Sequence, residues 1–173
     1  AGGIYFFTAV TYTRRPLFTN QVARDALREA IDQTRENYPF DVIAWVLLPD
    51  HLHAIWQLPE DDADYSTRWR LIKARFTRTM CRLGALQPAS VQSRSRQRHK
   101  EQPVWQRRFW EHTIRDEEDL HQHILYVHYN PVKHQLVDDA TEWPFSTIHR
   151  YDDQHLRGRL DFNPDEIARM ECE

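Results

Sequence analysis

Two histidines one residue apart, His51 and His53, lie in an otherwise apolar run, Leu47-Leu48-Pro49-Asp50-His51-Leu52-His53-Ala54-Ile55-Trp56. On a β-strand alternate side chains share a face, so both imidazoles point one way and Leu52 the other. Their Cα atoms are then ~7 Å apart, close enough for both rings to reach one divalent transition-metal ion. A second reading is equally local. Asp50 and one histidine close a turn, and the other histidine is hydrogen-bonded at a sheet edge.

Far along the chain, Tyr126 and Asn130 are four residues apart in a helical run, which places them on one face about 6 Å apart along the axis. A phenol is a potential nucleophile, and an amide oxygen is a potential third ligand beside two imidazoles. Tyr129 is a rival nucleophile but faces mostly elsewhere on the helix, whereas Tyr5, Tyr12 and Tyr38 read as core or strand residues. Pro131 has no N–H for the Val127 carbonyl, so the helix is expected to kink or stop there, with Asn130 available to cap the Pro131–His134 turn. That role is compatible with ligation. His123 and His128 read either as groups that orient phosphate or metal, or as satisfied bystanders.

The elements that must position these groups follow from periodicity. Ile4 to Tyr12 is aromatic and β-branched, a strand covered on both faces. Thr19 and Asn20 offer caps to a helix with Ala23, Leu27, Ala30 and Ile31 on one side. Asp41 to Leu47 and His51 to Leu58 form a hairpin about Pro49-Asp50. Ser66 or Thr67 starts a second helix with Trp69, Ile72, Phe76 and Met80 as its apolar stripe. Arg108 to Ile114 alternates as a fourth strand, and the acidic turn Asp116 to Asp119 opens the helix carrying Tyr126. The order is βαββαβ plus one further helix, and no internal repeat is evident.

The 173 residues, 40% of them hydrophobic, suffice for one domain with a sizeable core. No stretch approaches the ~18 apolar residues of a membrane span, and no charged-then-apolar leader follows Ala1-Gly2-Gly3, so a cytoplasmic address is the expectation. Cys81 and Cys172 lack metal-ligand spacing. The net charge of -3 hides segregation: Ser66 to Arg115 carries 13 Lys/Arg against two Glu, and Asp138 onward carries ten Asp/Glu against four Arg. A basic middle and an acidic tail suggest a polyanion surface, although a G+C-rich genome would equally raise arginine usage. The residues counted as nucleic-acid contacts are Arg14, Arg15, Arg68, Arg75, Arg78, Arg107, Arg108 and the basic loop residues Arg94, Arg96, Arg98 and Lys100.

With His51-Leu52-His53 on a strand and Tyr126 and Asn130 on a later helix, the chain resembles the single-strand DNA transposases that pair a His-hydrophobic-His motif with one catalytic tyrosine. More narrowly, it resembles the REP-associated tyrosine transposases, relatives of the IS200/IS605 transposases. The match extends through Gly2 to Thr8, Ala44 to His53, Arg107 to His112, Tyr126 to His134 and Trp143 to Thr147. The resemblance implies an α+β, ferredoxin-like βαββαβ antiparallel sheet with helices on one face, an additional helix carrying the tyrosine, and a C-terminal tail. On this reading residues 1–137 form the catalytic domain and 138–173 an acidic tail packed on it. The resemblance further implies Tyr126 as nucleophile, His51, His53 and Asn130 as ligands of Mg²⁺ or Mn²⁺, and single-stranded or hairpin DNA of the REP type as partner. It implies cleavage through a 5′-phosphotyrosine by a monomer, with a dimer as the alternative. Two competing readings are a catalytically vestigial hairpin-binding protein and a metallohydrolase that uses water in place of Tyr126.

Overall fold

The computed structural model describes residues 2–86 and 104–151, and the basic loop and the end of the chain lie outside them. Strand β1 (Ile4–Val10) leads through two short 3-10 turns into α1 (Gln21–Arg35). The hairpin β2 (Asp41–Leu47) and β3 (His51–Gln57) follows, then α2 (Tyr65–Arg82), β4 (Trp110–Thr113) and α3 (Glu117–Lys133). The sheet order is β2-β3-β1-β4 with every neighbouring pair antiparallel, so the α+β fold expected from the sequence is the one observed.

Strand alternation divides the protein into two packed layers. Tyr5, Phe7 and Ala9 of β1 and Leu52, Ala54 and Trp56 of β3 meet the apolar faces of α1 and α2. Trp56 stacks on Trp69 of α2 with ring centroids 4.4 Å apart. The opposite parity, with Phe6 of β1, Ala44 and Val46 of β2 and Ile55 of β3, packs against Leu125, Tyr126 and Val127 of α3. His51 and His53 share parity with Ile55, so they face α3. At the other end of β3, a Cβ on Gly2 would stand 1.8 Å from the Leu58 carbonyl oxygen, so only glycine fits there.

Three local expectations change. Helix α2 is capped by Asp64, whose side chain accepts from the Thr67 N–H, in place of Ser66 or Thr67. Helix α3 runs through Pro131 to Lys133 without stopping. Asn130 Nδ2 donates to the Tyr126 carbonyl at 2.9 Å, adding a bond in the turn where proline removes one. Arg68, expected on a solvated face toward DNA, is buried: its side chain is 1% exposed. Its guanidinium donates to both Asp62 carboxylate oxygens, at 3.1 and 2.7 Å, and to the Asp64 and Pro39 carbonyls. The acidic loop after β3 is thereby clamped onto α2. The segment after α3 is integrated as well. Trp143 Nε1 donates to the Leu47 carbonyl at 3.0 Å, Ser146 bridges to Val46, and the Tyr151 hydroxyl donates to the Ile43 carbonyl.

Arg68→Ala takes the donor from the Asp64 and Pro39 carbonyls, while Asp62, with 31% of its side chain exposed, is re-solvated, so the expected loss is about 1–3 kcal/mol. The melting temperature should then fall by roughly 2–12 °C, at about 2–4 °C per kcal/mol for a chain of this size. Thermal unfolding followed by circular dichroism checks it, and an unchanged midpoint would show that the Asp62 clamp contributes nothing.

Candidate active site

The site is built where the start of β3 passes beneath the C-terminal half of α3. His51 and His53 are 1% and 0% exposed, and their rings lie 5.0 Å apart, nearly perpendicular. Each ring is held at Nδ1. Asp50 lies 2.6 Å from Nδ1 of His51, and Thr8, the cross-strand partner of His53 in β1, lies 2.8 Å from Nδ1 of His53. A carboxylate can only accept, so Asp50 fixes the Nδ1–H tautomer of His51 and leaves a lone pair on Nε2. The Asp50 turn contact of the second reading is observed and is also what orients the His51 imidazole, whereas His53 stands on an inner strand and not at a sheet edge.

Among the described residues, Nε2 of His51, Nε2 of His53 and Oδ1 of Asn130 are buried with no hydrogen-bond partner of normal geometry. Unsatisfied buried polar atoms are costly, so three at one place call for a ligand. Burial holds His53 well below the usual imidazole range, and the charges of His51, His134 and Lys133 push the same way, against the adjacent Asn130 amide. A neutral imidazole is the form that binds metal. Two nitrogens and an amide oxygen are donors that a divalent cation such as Mn²⁺ accepts.

Tyr126 is fully buried beside this donor set, its ring 5.2 Å from that of His53 and 5.8 Å from Phe6. Two groups that the sequence reading passed over complete the wall. Lys133 places Nζ 5.0 Å from the centre of the Tyr126 ring, and the His134 ring lies 5.0 Å from that of His51. Both were within reach of the sequence, since positions 126, 130, 133 and 134 are spaced as one helical face. Tyr129, the rival nucleophile, is half-buried and packs against the α3 layer. His123 bonds to Asp119, and His128 bonds to Thr147 at 3.0 Å, which in turn bonds to Trp45 of β2. Neither histidine belongs to the donor set at the claw. Among the described residues, one group of three His/Asp donors with ligand atoms within 4.8 Å of one another lies elsewhere: His112, Asp119 and His123.

The remaining cationic candidates are spread widely. Arg14 is exposed and pairs with Asp50 at 3.3 Å, carried there by Thr13 and Arg14 at positive φ (54° and 50°). Arg15 is half-buried, and Arg75 donates to Thr34 Oγ1 at 3.2 Å. Arg78, Arg107 and Arg108 are exposed, whereas Arg94, Arg96, Arg98 and Lys100 lie outside the described residues. No helix among the described residues is long and apolar enough to cross a membrane.

Comparison with known proteins places these features in a family. The profile of the family described as Transposase IS200 like matches residues 3–130. A REP-associated tyrosine transposase of Escherichia coli (strain K12) is 43% identical over 150 residues, covering 86% of this chain and 78% of the relative. A Haemophilus influenzae relative, provisionally described in the same words, is 43% identical over 152 residues, covering 86% of this chain and 81% of its own. Among solved structures, a REP-associated tyrosine transposase bound to a REP hairpin superposes with a TM-score of 0.70 at 41% identity, covering 86% of this chain and 78% of that one.

The buried imidazoles make stability pH-dependent. Burial, reinforced by His149, pushes His128 down to about 4 from an ordinary 6.5. The unfolded chain then binds more protons between these values, so the stabilisation is complete above about pH 6.5 and is lost as pH falls toward 4. Melting temperature should fall steadily from pH 7 to pH 4.5. His128→Asn should lessen the slope by up to about 1.4 kcal/mol per pH unit, the most that one proton can contribute. A variant with the wild-type slope would show that His128 is not the titrating group.

Proposed function

The chain belongs to the IS200-like transposase family, and from that premise we propose that it is a metal-dependent single-strand DNA endonuclease and strand transferase that acts on REP-type hairpin DNA through Tyr126. The observation that carries this reading is the convergence of the tethered His51 and His53 on the helical face that bears Tyr126 and Asn130, with the Asn130 amide beside His53. A hairpin-binding module would need none of these groups together. The hairpin substrate is supported by the REP hairpin held by the relative of TM-score 0.70.

In this reaction the Tyr126 oxygen attacks the scissile phosphorus, the bond from phosphorus to the 3′ oxygen breaks, and the phenol loses its proton. The products are a 5′-phosphotyrosine and a free DNA 3′-OH. A 3′-OH can then displace the tyrosine by the reverse chemistry, which rejoins strands without nucleotide hydrolysis. His51, His53 and Asn130 would hold the divalent cation, which supplies Lewis-acid polarisation of the phosphate. Free tyrosine ionises near pH 10 and Tyr126 is fully buried, so the phenolate needs help that the cation would supply, and Lys133 Nζ stands 5.0 Å from the centre of the ring. The ring contact between Tyr126 and His53 of the same molecule supports a monomer with the nucleophile acting within one chain, a dimer being the alternative. DNA reaches the buried phenol only by displacing part of the wall over it. The exposed Arg78, Arg107 and Arg108, with Arg14 near the claw, are the described residues that would meet phosphates.

Incubating the protein with REP-type single strands and Mn²⁺ or Mg²⁺ should give a covalent protein–DNA adduct visible on a denaturing gel. Tyr126→Phe should abolish the adduct, and His53→Ala should reduce it by at least about 100-fold, in line with the loss of an electrostatic catalytic group. Cleavage that survives Tyr126→Phe would favour an activated water, and hairpin binding without any adduct would favour a vestigial binding protein.

A further inference from the structure

The cluster of His112, Asp119 and His123 lies one helical turn before Tyr126 and is not part of the donor set at the claw. The geometry points to a positioning role: the Asp119 carboxylate clamps α3 to the edge strand β4 and thereby sets where Tyr126 stands relative to His51 and His53. This inference rests on the proposed reaction at Tyr126.

Asp119 stands in the first turn of α3, and its carboxylate gathers bonds from three directions. His112 Nε2, on β4, lies 2.9 Å from Oδ2 and 3.1 Å from Oδ1. Arg115, in the turn between β4 and α3, reaches Oδ2 with its backbone N–H at 3.0 Å and with Nε at 3.3 Å. His123 Nδ1, one turn further along α3, lies 3.0 Å from Oδ1 and 2.8 Å from the Asp119 carbonyl oxygen. Burial opposes ionisation of Asp119, but the bonds from His112 and Arg115 outweigh it and bring the carboxyl down to about 2. The anion is therefore kept at any neutral or mildly acid pH.

The clamp reaches the site through rings. His112 and His123 stack face to face, with centroids 4.6 Å apart and planes at 12°. The His123 ring lies 4.9 Å from Phe6, which pairs with His112 in the β1–β4 register. Phe6 in turn touches both His53, at 5.6 Å, and Tyr126, at 5.8 Å. Phe6 is thus a shared floor beneath metal ligand and nucleophile, with the clamp on its far side. A short edge strand of four residues would otherwise leave the start of α3 weakly held. The same three residues could also gather round a cation, but the contacts present are protein ones, with Arg115 on the carboxylate and His123 Nδ1 on a backbone carbonyl, and the positioning role is argued from these.

The test uses the full chain, wild type and Asp119→Asn, with 3-fluorotyrosine at position 126 for a parallel set of fluorine spectra. Asp119→Asn should slow single-turnover adduct formation about 10- to 100-fold, the scale of a displacement of around 1 Å, at a temperature where both proteins are fully folded and with hairpin affinity near wild type, while the melting temperature falls because the carboxylate also holds α3 to β4. The fluorine resonance should shift. His112→Gln, which keeps an N–H near the place of Nε2, should restore most of the wild-type rate, whereas His112→Leu should not. An unmoved resonance, or a rate loss matched by an equal loss of hairpin affinity or folded protein, would overturn the clamp. So would a resonance that responds to Zn²⁺ in wild type but not in Asp119→Asn, which would make the cluster a cation site. If wild type forms no adduct, the proposed reaction fails, yet the fluorine spectra still read the position of Tyr126.

Discussion

An imidazole presents a lone pair at Nε2 only when its proton sits on Nδ1; the Asp50 carboxylate imposes that on His51, and the Thr8 hydroxyl supports it on His53 by accepting from Nδ1. Much of the architecture is arranged around them. The β1–β3 register brings Thr8 opposite His53, and the β2–β3 turn brings Asp50 beside His51. The Asp50 carbonyl accepts from the Thr11 N–H at 2.8 Å and the Pro49 carbonyl from the Phe18 N–H at 2.9 Å, so the turn is pinned from outside the hairpin. A slip of one residue in that register would turn both histidines to the wrong face of the sheet.

The second requirement is a helix on the face to which the histidines point. In a ferredoxin-like arrangement α1 and α2 share one side of the sheet, which leaves the other to be covered by whatever follows β4. Here α3 does so with Leu125, Tyr126 and Val127, and the same contacts that bury this apolar face bring a phenol against an imidazole. The phenol proposed as nucleophile is therefore part of the core, and the proposed catalysis and the stability draw on the same side chains. The segment from Ala140 to Tyr151 braces this layer at the β2 edge through Thr147 and Trp143, and His128 of α3 joins it there.

The features legible in the sequence were those set by local periodicity. The same-face geometry of His51 and His53 follows from strand alternation, that of Tyr126 and Asn130 from the helical repeat, and the strand order from apolar runs. What stayed hidden depends on distant partners. Arg68 looked like one more arginine of a basic helix, because nothing in its neighbourhood reveals that Asp62 and the Pro39 carbonyl close over it. Pro131 reads as a kink or a stop, and the helix does not stop there, since local rules do not include the packing of α3 against the sheet or the Asn130 bond to the turn above it. The stretch after Asp138 read as a tail because its anchors lie about 100 residues away, on β2.

The central claim is that His51 and His53 present two nitrogens to one divalent cation beside Tyr126. Pulsed electron paramagnetic resonance of the protein loaded with Mn²⁺, without DNA, tests it most directly by counting coupled imidazole nitrogens. The account predicts one tightly bound Mn²⁺ with couplings from two histidines, falling to one in His53→Ala. Mn²⁺ bound without nitrogen coupling, or a spectrum indifferent to loss of both histidines, would contradict it.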